Sequence, residues 1–290
     1  MKKKKWKLSN FKPYLWLIPS FILFGVFTFY PFIQTIYKSL FIVNAYGEIK
    51  QFVGLENYLW ILKDDKFLIA IKNTVLFTLF TVPTSKIIGF ILALLANKRR
   101  KTSVIYETSF ALPMAMSSSV IAMIFQLLYV YPLGLLNGIF HLEIRWLTDA
   151  KYALLAIGIV QIWLSSGYAF VFMLSAVRSI SKEILESAEV DGATNIQKMI
   201  KIYLPMTTPT LFYLIVTDLA YSMMMMSLVN VLTQGGPNNS TMTIMQYIYR
   251  QFASTGNYTN ANPASVIAFI LTLICTLIAF AWEKKGVHYQ

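Results

Sequence analysis

Residues 186–205 read Glu-Ser-Ala-Glu-Val-Asp-Gly-Ala-Thr-Asn-Ile-Gln-Lys-Met-Ile-Lys-Ile-Tyr-Leu-Pro. This polar stretch interrupts a chain of 290 residues that is 57% hydrophobic and 13% charged, where a soluble domain carries about 25% charged residues. Glu183 and Glu186 fall early in a short helix, where negative charge suits the positive end of the dipole. Ile184, Leu185 and Ala188 give that helix an apolar side. Asp191-Gly192 is a turn dipeptide, with glycine free to take positive φ. Thr194-Asn-Ile-Gln197 matches a capping box, so a second helix starts there. Ile196, Met199, Ile200 and Tyr203 form its apolar stripe. Leu204-Pro205 is expected to end it, because the residue before proline is driven out of the helical region. The expectation is helix, tight turn, helix across a membrane face. Periodicity alone equally fits an interfacial linker.

Outward from this stretch, the apolar residues come in long runs. A run of about 18 or more with few charges reads as a membrane span, because backbone groups in lipid must bond within their own helix. The fold class is therefore an all-α polytopic membrane protein. Six spans are expected, at 14–37, 69–96, 106–130, 152–177, 207–232 and 264–282. They form one transmembrane domain, with 1–13 as a basic N-terminal segment, 178–206 as the central loop and 283–290 as a tail. The run from Tyr14 to Ile36 is longer than a signal-peptide core and no small-residue cleavage site follows, so it reads as a retained first span.

The Lys and Arg residues sort by side. Of 25, 16 fall in 1–13, in 97–105, in 178–206 and in the tail, against seven in the intervening loops and two (Lys72, Lys86) within span two. The richer side is cytoplasmic. Both termini and the 178–206 loop are then inside, and the loops at 38–68, 131–151 and 233–263 outside. Trp60, Trp146, Tyr129, Tyr131 and Tyr258 fall near span ends and read as interfacial anchors. The net charge of +12 lies in short loops rather than on a soluble face, which argues against nucleic acid as a partner. Cys275 is the only cysteine, His141 and His288 are isolated, and no metal site is expected. No Gly-x-x-x-x-Gly-Lys-Ser/Thr phosphate loop occurs, so ATP hydrolysis by that route belongs to another protein.

Lys86 and Asp218 are charges deep within spans two and five. A charge at bilayer depth costs about 3 kcal/mol, so it faces protein or water and finds a partner. Either the two line a translocation pathway, or they pair as structural glue. Gln161, Ser165, Ser166, Tyr221, Ser222 and Asn230 offer hydrogen bonds to a solute or to a neighbouring helix. Met223–Met226 reads as packing. Gly235-Gly236-Pro237-Asn238-Asn239 is a turn-rich outer segment.

Glu186-Ser-Ala-Glu-Val-Asp-Gly-Ala193, followed by Ile202-Tyr-Leu-Pro205 with nine residues between Gly192 and Ile202, resembles the EAA loop of permease subunits of binding-protein-dependent ABC importers. Ser187 stands where that pattern has alanine. Phe52-Val-Gly-Leu-Glu-Asn-Tyr58, Asn73-Thr74 and Leu232-Thr-Gln-Gly-Gly-Pro237 with Thr241 resemble segments of the carbohydrate branch, which holds the maltose and glycerol-3-phosphate permeases. The resemblance implies a type I importer permease fold in a bacterial cytoplasmic membrane. It implies that Glu186, Ser187, Ala188, Asp191, Gly192, Ala193, Leu204 and Pro205 form a coupling helix docked on an ATPase subunit. The implied partners are two ATPase copies carrying ATP and Mg, a second and different permease subunit, an extracytoplasmic solute-binding protein touching Gly235, Gly236 and Pro237, and lipid. No cofactor is expected on this chain, and it is not expected to be an enzyme. An ion-gradient-driven transporter is the alternative. It requires repeats and intramembrane carboxylates, and Asp218 is the only candidate.

Overall fold

The computed structural model describes residues 16–98 and 102–286, with side chains as far as Glu283. The basic residues before Trp16, Arg99 to Lys101, the side chains of Lys284 and Lys285, and His288 lie outside the described residues. In chain order the elements are α1 (Ile18–Lys38), β1 (Phe41–Val43), β2 (Ile49–Phe52), α2 (Glu56–Ile61), α3 (Asp65–Ala96), α4 (Ser103–Ala111), α5 (Ser118–Tyr129) and α6 (Leu135–Phe140). There follow α7 (Ala153–Ser179), α8 (Lys182–Val190), α9 (Asn195–Met206), α10 (Thr208–Met223), α11 (Ser227–Leu232), α12 (Ile244–Tyr249) and α13 (Tyr258–Gly286).

Four of these, α1, α3, α7 and α13, are long and apolar enough to cross a membrane. The number rises to six if each of two bent pairs is one span. The expected spans need correction at the first of these pairs and at the end of span five. Span three turns by 104° between Ser103–Ala115 and α5. Ser117 caps α5 by accepting a hydrogen bond from the Val120 amide, so a new helix starts in mid-run. Span five does not run to 232. It breaks after Met223, and α11 begins at Ser227. The all-α expectation also needs a small exception. Phe41–Val43 pairs antiparallel with Ile49–Phe52, and the Asn44 side chain accepts from the Tyr46 and Glu48 amides across the turn.

The centre is α3 packed along α7. Asp64 caps α3 through the Lys66 amide. The helix continues through Pro83, where the Thr81 and Thr84 hydroxyls donate to the Phe77 and Phe80 carbonyls. Close approach depends on small residues, as in other membrane bundles. A Cβ added at Gly89 would lie 2.5 Å from the Ala169 Cβ. Around this seam, Phe90, Ala93, Phe170, Met173 and Leu214 form one core cluster. Phe77, Ile121, Tyr129, Ile157, Val160 and Leu228 form a second, and Ile61, Phe67, Met242 and Tyr247 belong to a third. By contrast α1 buries no residue and presents apolar side chains outward.

Tyr129 is not an interfacial anchor. It is buried, and its hydroxyl donates to the Ala156 carbonyl at 2.9 Å. Trp146 likewise turns inward, donating from Nε1 to Asn137 Oδ1 at 2.9 Å. Their rings contact each other at 5.5 Å, a tertiary pairing that span boundaries do not reveal. Trp60 is exposed, as the anchor reading required.

One helix joins both ends of the molecule. The Asn73 amide of α3 donates to the carbonyls of Asn239 and Met242. Beyond its other end, Asn97 donates to the Tyr203 hydroxyl of α9. At 1.5 Å per residue these contacts lie about 36 Å apart, enough to span a bilayer's hydrocarbon core of about 30 Å.

Candidate functional site

Three groups of residues carry the functional reading: an exposed hairpin, a buried polar cluster, and a closed loop at the far end.

The hairpin is α8, a turn and α9. Gly192 has φ +75°, and the turn closes through Asp191 N to Ser187 O and Ala193 N to Ala188 O. The capping box is complete. Gln197 N donates to Thr194 Oγ1, and Thr194 N donates to Gln197 Oε1. Lys198 meets Glu189 at 2.8 Å. The hydrogen bond from Lys198, and then its charge, hold the Glu189 carboxyl below its ordinary range. The expected stop at Leu204-Pro205 is a correction. Leu204 keeps helical angles, and its amide donates to the Met199 carbonyl in a wider π turn. That turn sets Pro205 in the first turn of a new helical segment, where its missing N–H is tolerated. The chain turns only at Thr207, by 67° into α10.

No residue of α8 or α9 is buried. Glu186, Ser187, Asp191 and Gly192 are exposed. So are the large apolar side chains of Val190 (87%), Ile196 (67%) and Ile200 (53%). Met199 and Tyr203 face the other way and pack on the Phe90–Phe170 core. Arg178 locks the neck above them. Its guanidinium donates to both oxygens of Glu107 and, from Nη2, to the Ala96 carbonyl at 3.0 Å. In the sequence Arg178 counted only as a positive charge near a span end. A planar fork with two acceptors is a tertiary fact.

In the buried cluster Lys86 and Asp218 meet at 2.8 Å, both nearly excluded from solvent. Asp218 Oδ2 also accepts from Ser85, and Oδ1 accepts from Ser165, whose hydroxyl accepts in turn from Gln161 Nε2. Gln161 Oε1 has no partner. Gln161, Ser165, Asp218 and Tyr221 line one cavity of about 310 Å³, beside the Ser103–Ala115/α5 bend. The Tyr221 hydroxyl reaches Ser118 on α5 across it. Lys86 and Ser222 are buried behind that lining. Ser166 bonds the Trp163 carbonyl of its own helix. Asn230 is not in this cavity at all but borders the far loop. Ser85 was missed, since a serine in an apolar helix carries no distinguishing signal.

The far loop, 233–243, is closed by its own side chains. Thr241 donates to the Gly236 carbonyl and shares a hydrogen bond with Thr233, while Thr243 donates to the Met225 carbonyl. Gln234, Gly235, Asn238 and Asn239 all have positive φ. A Cβ on Gly235 would sit 2.7 Å from the Met242 methyl, which would have to move aside, and the φ of +88° there favours glycine. Gly235 and Gly236 border a groove and Pro237 does not. Tyr247 beneath donates to Asp64 at 2.6 Å. Burial, with that hydrogen bond, pushes its hydroxyl well above the ordinary tyrosine value.

Apolar helices around a polar cavity, with an exposed hairpin at one end, define a membrane transport component. The particular assignment follows from likeness to known proteins. The chain belongs to the family described as binding-protein-dependent transport system inner membrane component, whose model matches residues 86–284. It is 30% identical, over 96% of both chains, to the sn-glycerol-3-phosphate transport system permease protein UgpA of Agrobacterium fabrum. It is also 30% identical to the probable ABC transporter permease protein YurN of Bacillus subtilis, over 94% of this chain and 96% of that one. In fold it matches a chain of a bacterial alginate ABC transporter, solved with an alginate pentasaccharide-bound periplasmic protein. That match has TM-score 0.84, 23% identity and 98% coverage of both chains. The chain is therefore an ABC importer permease rather than an ion-gradient-driven transporter.

Proposed function

We propose that this permease carries a carbohydrate or a closely related solute, and that the 183–203 hairpin couples its helices to a cytosolic ATPase. The observation that carries the coupling role is the unburied apolar face of Val190, Ile196 and Ile200 on a hairpin whose own backbone is already satisfied. Such a face gains stability only against a partner, at about 25 cal/mol per Å² buried. Glu186, exposed beside it, supplies a charge for a basic residue of that partner, and Ser187, Ala188, Asp191, Gly192 and Ala193 shape the docking turn. Leu204-Pro205 carries the motion through α9 toward α10. ATP and Mg belong to two ATPase copies, and this chain performs no catalysis. A second, different permease subunit completes the pathway. A solute-binding protein delivers from outside, where Gly235, Gly236 and Pro237 meet it. Both termini are cytoplasmic.

Relatives that handle glycerol-3-phosphate and alginate support the solute class. The cavity of Gln161, Asp218 and Tyr221 supports a path for hydroxylated solutes. Cross-linking tests the coupling role. With Cys275 replaced by serine, a Val190→Cys variant is expected to cross-link to the ATPase in the assembled importer. An assembly whose ATPase never comes within reach of 183–203 overturns it. Thermal-shift screening of the cognate binding protein against mono-, oligo- and acidic sugars tests the solute class, and stabilisation by none of them removes it.

A further inference from the structure

The groove beside the closed loop, about 480 Å³, lies at the Asn73 end of α3, about 36 Å from the hairpin. Its lining is chemically distinct from the rest of the protein. Asn230, Gln234, Asn238 and Gln246 turn amide groups to it, Tyr249 offers a half-exposed ring, and Arg250 is its one charged residue. Gln246 is 3% exposed. Its Nε2 donates to Asn230 Oδ1 at 3.2 Å, while its Oε1 is buried with no partner. A buried acceptor left unpaired costs about 1–3 kcal/mol, so Gln246 Oε1 calls for a donor from outside the chain, water or solute. The frame is fixed before any ligand arrives. Gln234 and Asn238 hold left-handed angles of φ 53° and 51°, sparsely populated for such residues and characteristic of ligand clamps. Asn73 and Thr241 bond the loop's carbonyls.

We infer that this groove is a receiving site for hydroxyl groups of an uncharged saccharide, separate from the cavity at Asp218. Amides both donate and accept, as hydroxyl groups do, and a sugar's apolar face stacks on an aromatic ring. A sugar hydroxyl would donate to Gln246 Oε1, which an anion's oxygens cannot do. The site lies on the segment that joins the two regions. Asn230 is on α11, which follows α10 and its Asp218 after the break at Met224–Met226. The inference rests on the carbohydrate reading above.

The test uses the complete importer in proteoliposomes with its binding protein. Uptake of maltose, maltotriose, raffinose and xylotriose is measured first; failure to carry any of them removes this site, which is argued for uncharged saccharides, while the wider sugar screen above decides the carbohydrate reading. A diazirine derivative of the sugar carried fastest then labels the importer, and mass spectrometry maps the label. Labelling within 230–254 is expected. Gln246→Leu, which removes the orphan acceptor, and Gln234→Gly, which keeps the left-handed backbone, should each lower that label about tenfold. The binding-protein concentration that half-saturates ATPase stimulation should not change. Two results overturn the inference while leaving the carbohydrate reading intact. One is label unchanged in Gln234→Gly and in any folded Gln246→Leu, or absent from 230–254. The other is unchanged label with a raised half-saturating concentration, which makes the groove a docking notch for the binding protein. Gln234 is exposed, so its variant decides the matter if Gln246→Leu fails to fold.

Discussion

The hairpin at 182–206 and the loop at 233–243 are both rich in polar side chains and solve opposite problems. In the loop, Thr233, Thr241 and Thr243 spend their hydroxyls on carbonyls of their own surroundings, and Thr241, Met242 and Thr243 are fully enclosed. In the hairpin, the hydrogen bonds are equally local, yet nothing is enclosed and five large apolar side chains are exposed, Val190, Ile196 and Ile200 most of all. The loop is held closed by hydrogen bonds within this chain. The hairpin is a finished backbone with an unfinished surface. A rigid receiving frame suits the first, and a docking element suits the second.

The largest expected effect attacks the hairpin. Glu186→Ala combined with Gly192→Pro removes the docking charge and puts a ring that demands φ near −65° where the chain has +75°. ATP-driven uptake in vesicles should fall to background while the amount of inserted protein is unchanged. Normal uptake would break the comparison outright. Next comes the cluster between the two regions. Lys86→Met leaves Asp218 buried without its cation and should destabilise the protein by about 3–5 kcal/mol. Asp218→Asn should do the same to Lys86, and the double variant should recover most of the loss in a thermal unfolding scan. Singles with full stability and full uptake would remove the pair from both structure and pathway.

Smaller effects sharpen the contrast. Asn73→Leu strips two carbonyls of their donor and should cost about 1–3 kcal/mol. Hydrogen exchange should rise in 233–243 and stay constant in 182–206. Thr194→Ala removes the capping hydroxyl at a cost of about 1 kcal/mol. Exchange should then rise in 194–200 alone. An exchange response in the opposite region, in either variant, contradicts the local character of these hydrogen bonds.

The hairpin was legible in the sequence because its signals are local. Asp191-Gly192 and the Thr194–Gln197 box each act within four residues, and both appear as expected. Leu204-Pro205 was misread because the rule before proline assumes an ordinary α turn. A single π turn at Met199–Tyr203 sets the proline where a helix segment begins. The breaks at Met116 and Met224 leave only weak traces. Pro113 and Ser117-Ser118-Ser119 mark the first and Ser222 and Ser227 flank the second, but a few small polar residues inside a long apolar run do not by themselves mark a helix end. Tyr129 and Trp146 followed a good rule for aromatic residues at span ends, but burial against Ala156 and Asn137 is decided by partners distant in sequence. The Phe41–Phe52 hairpin did leave a trace, in β-branched and aromatic residues on either side of Asn44 to Gly47, too short to stand out in a chain of long apolar runs.

Because α3 touches the hairpin through Asn97 and the closed loop through Asn73, the two ends are not free to move separately. A rotation of that rod by about ten degrees about its inner end sweeps its outer end through about 6 Å, roughly the width of a single sugar ring. A displacement of that size at the mouth needs no signal relayed from residue to residue. It follows from the length of one helix.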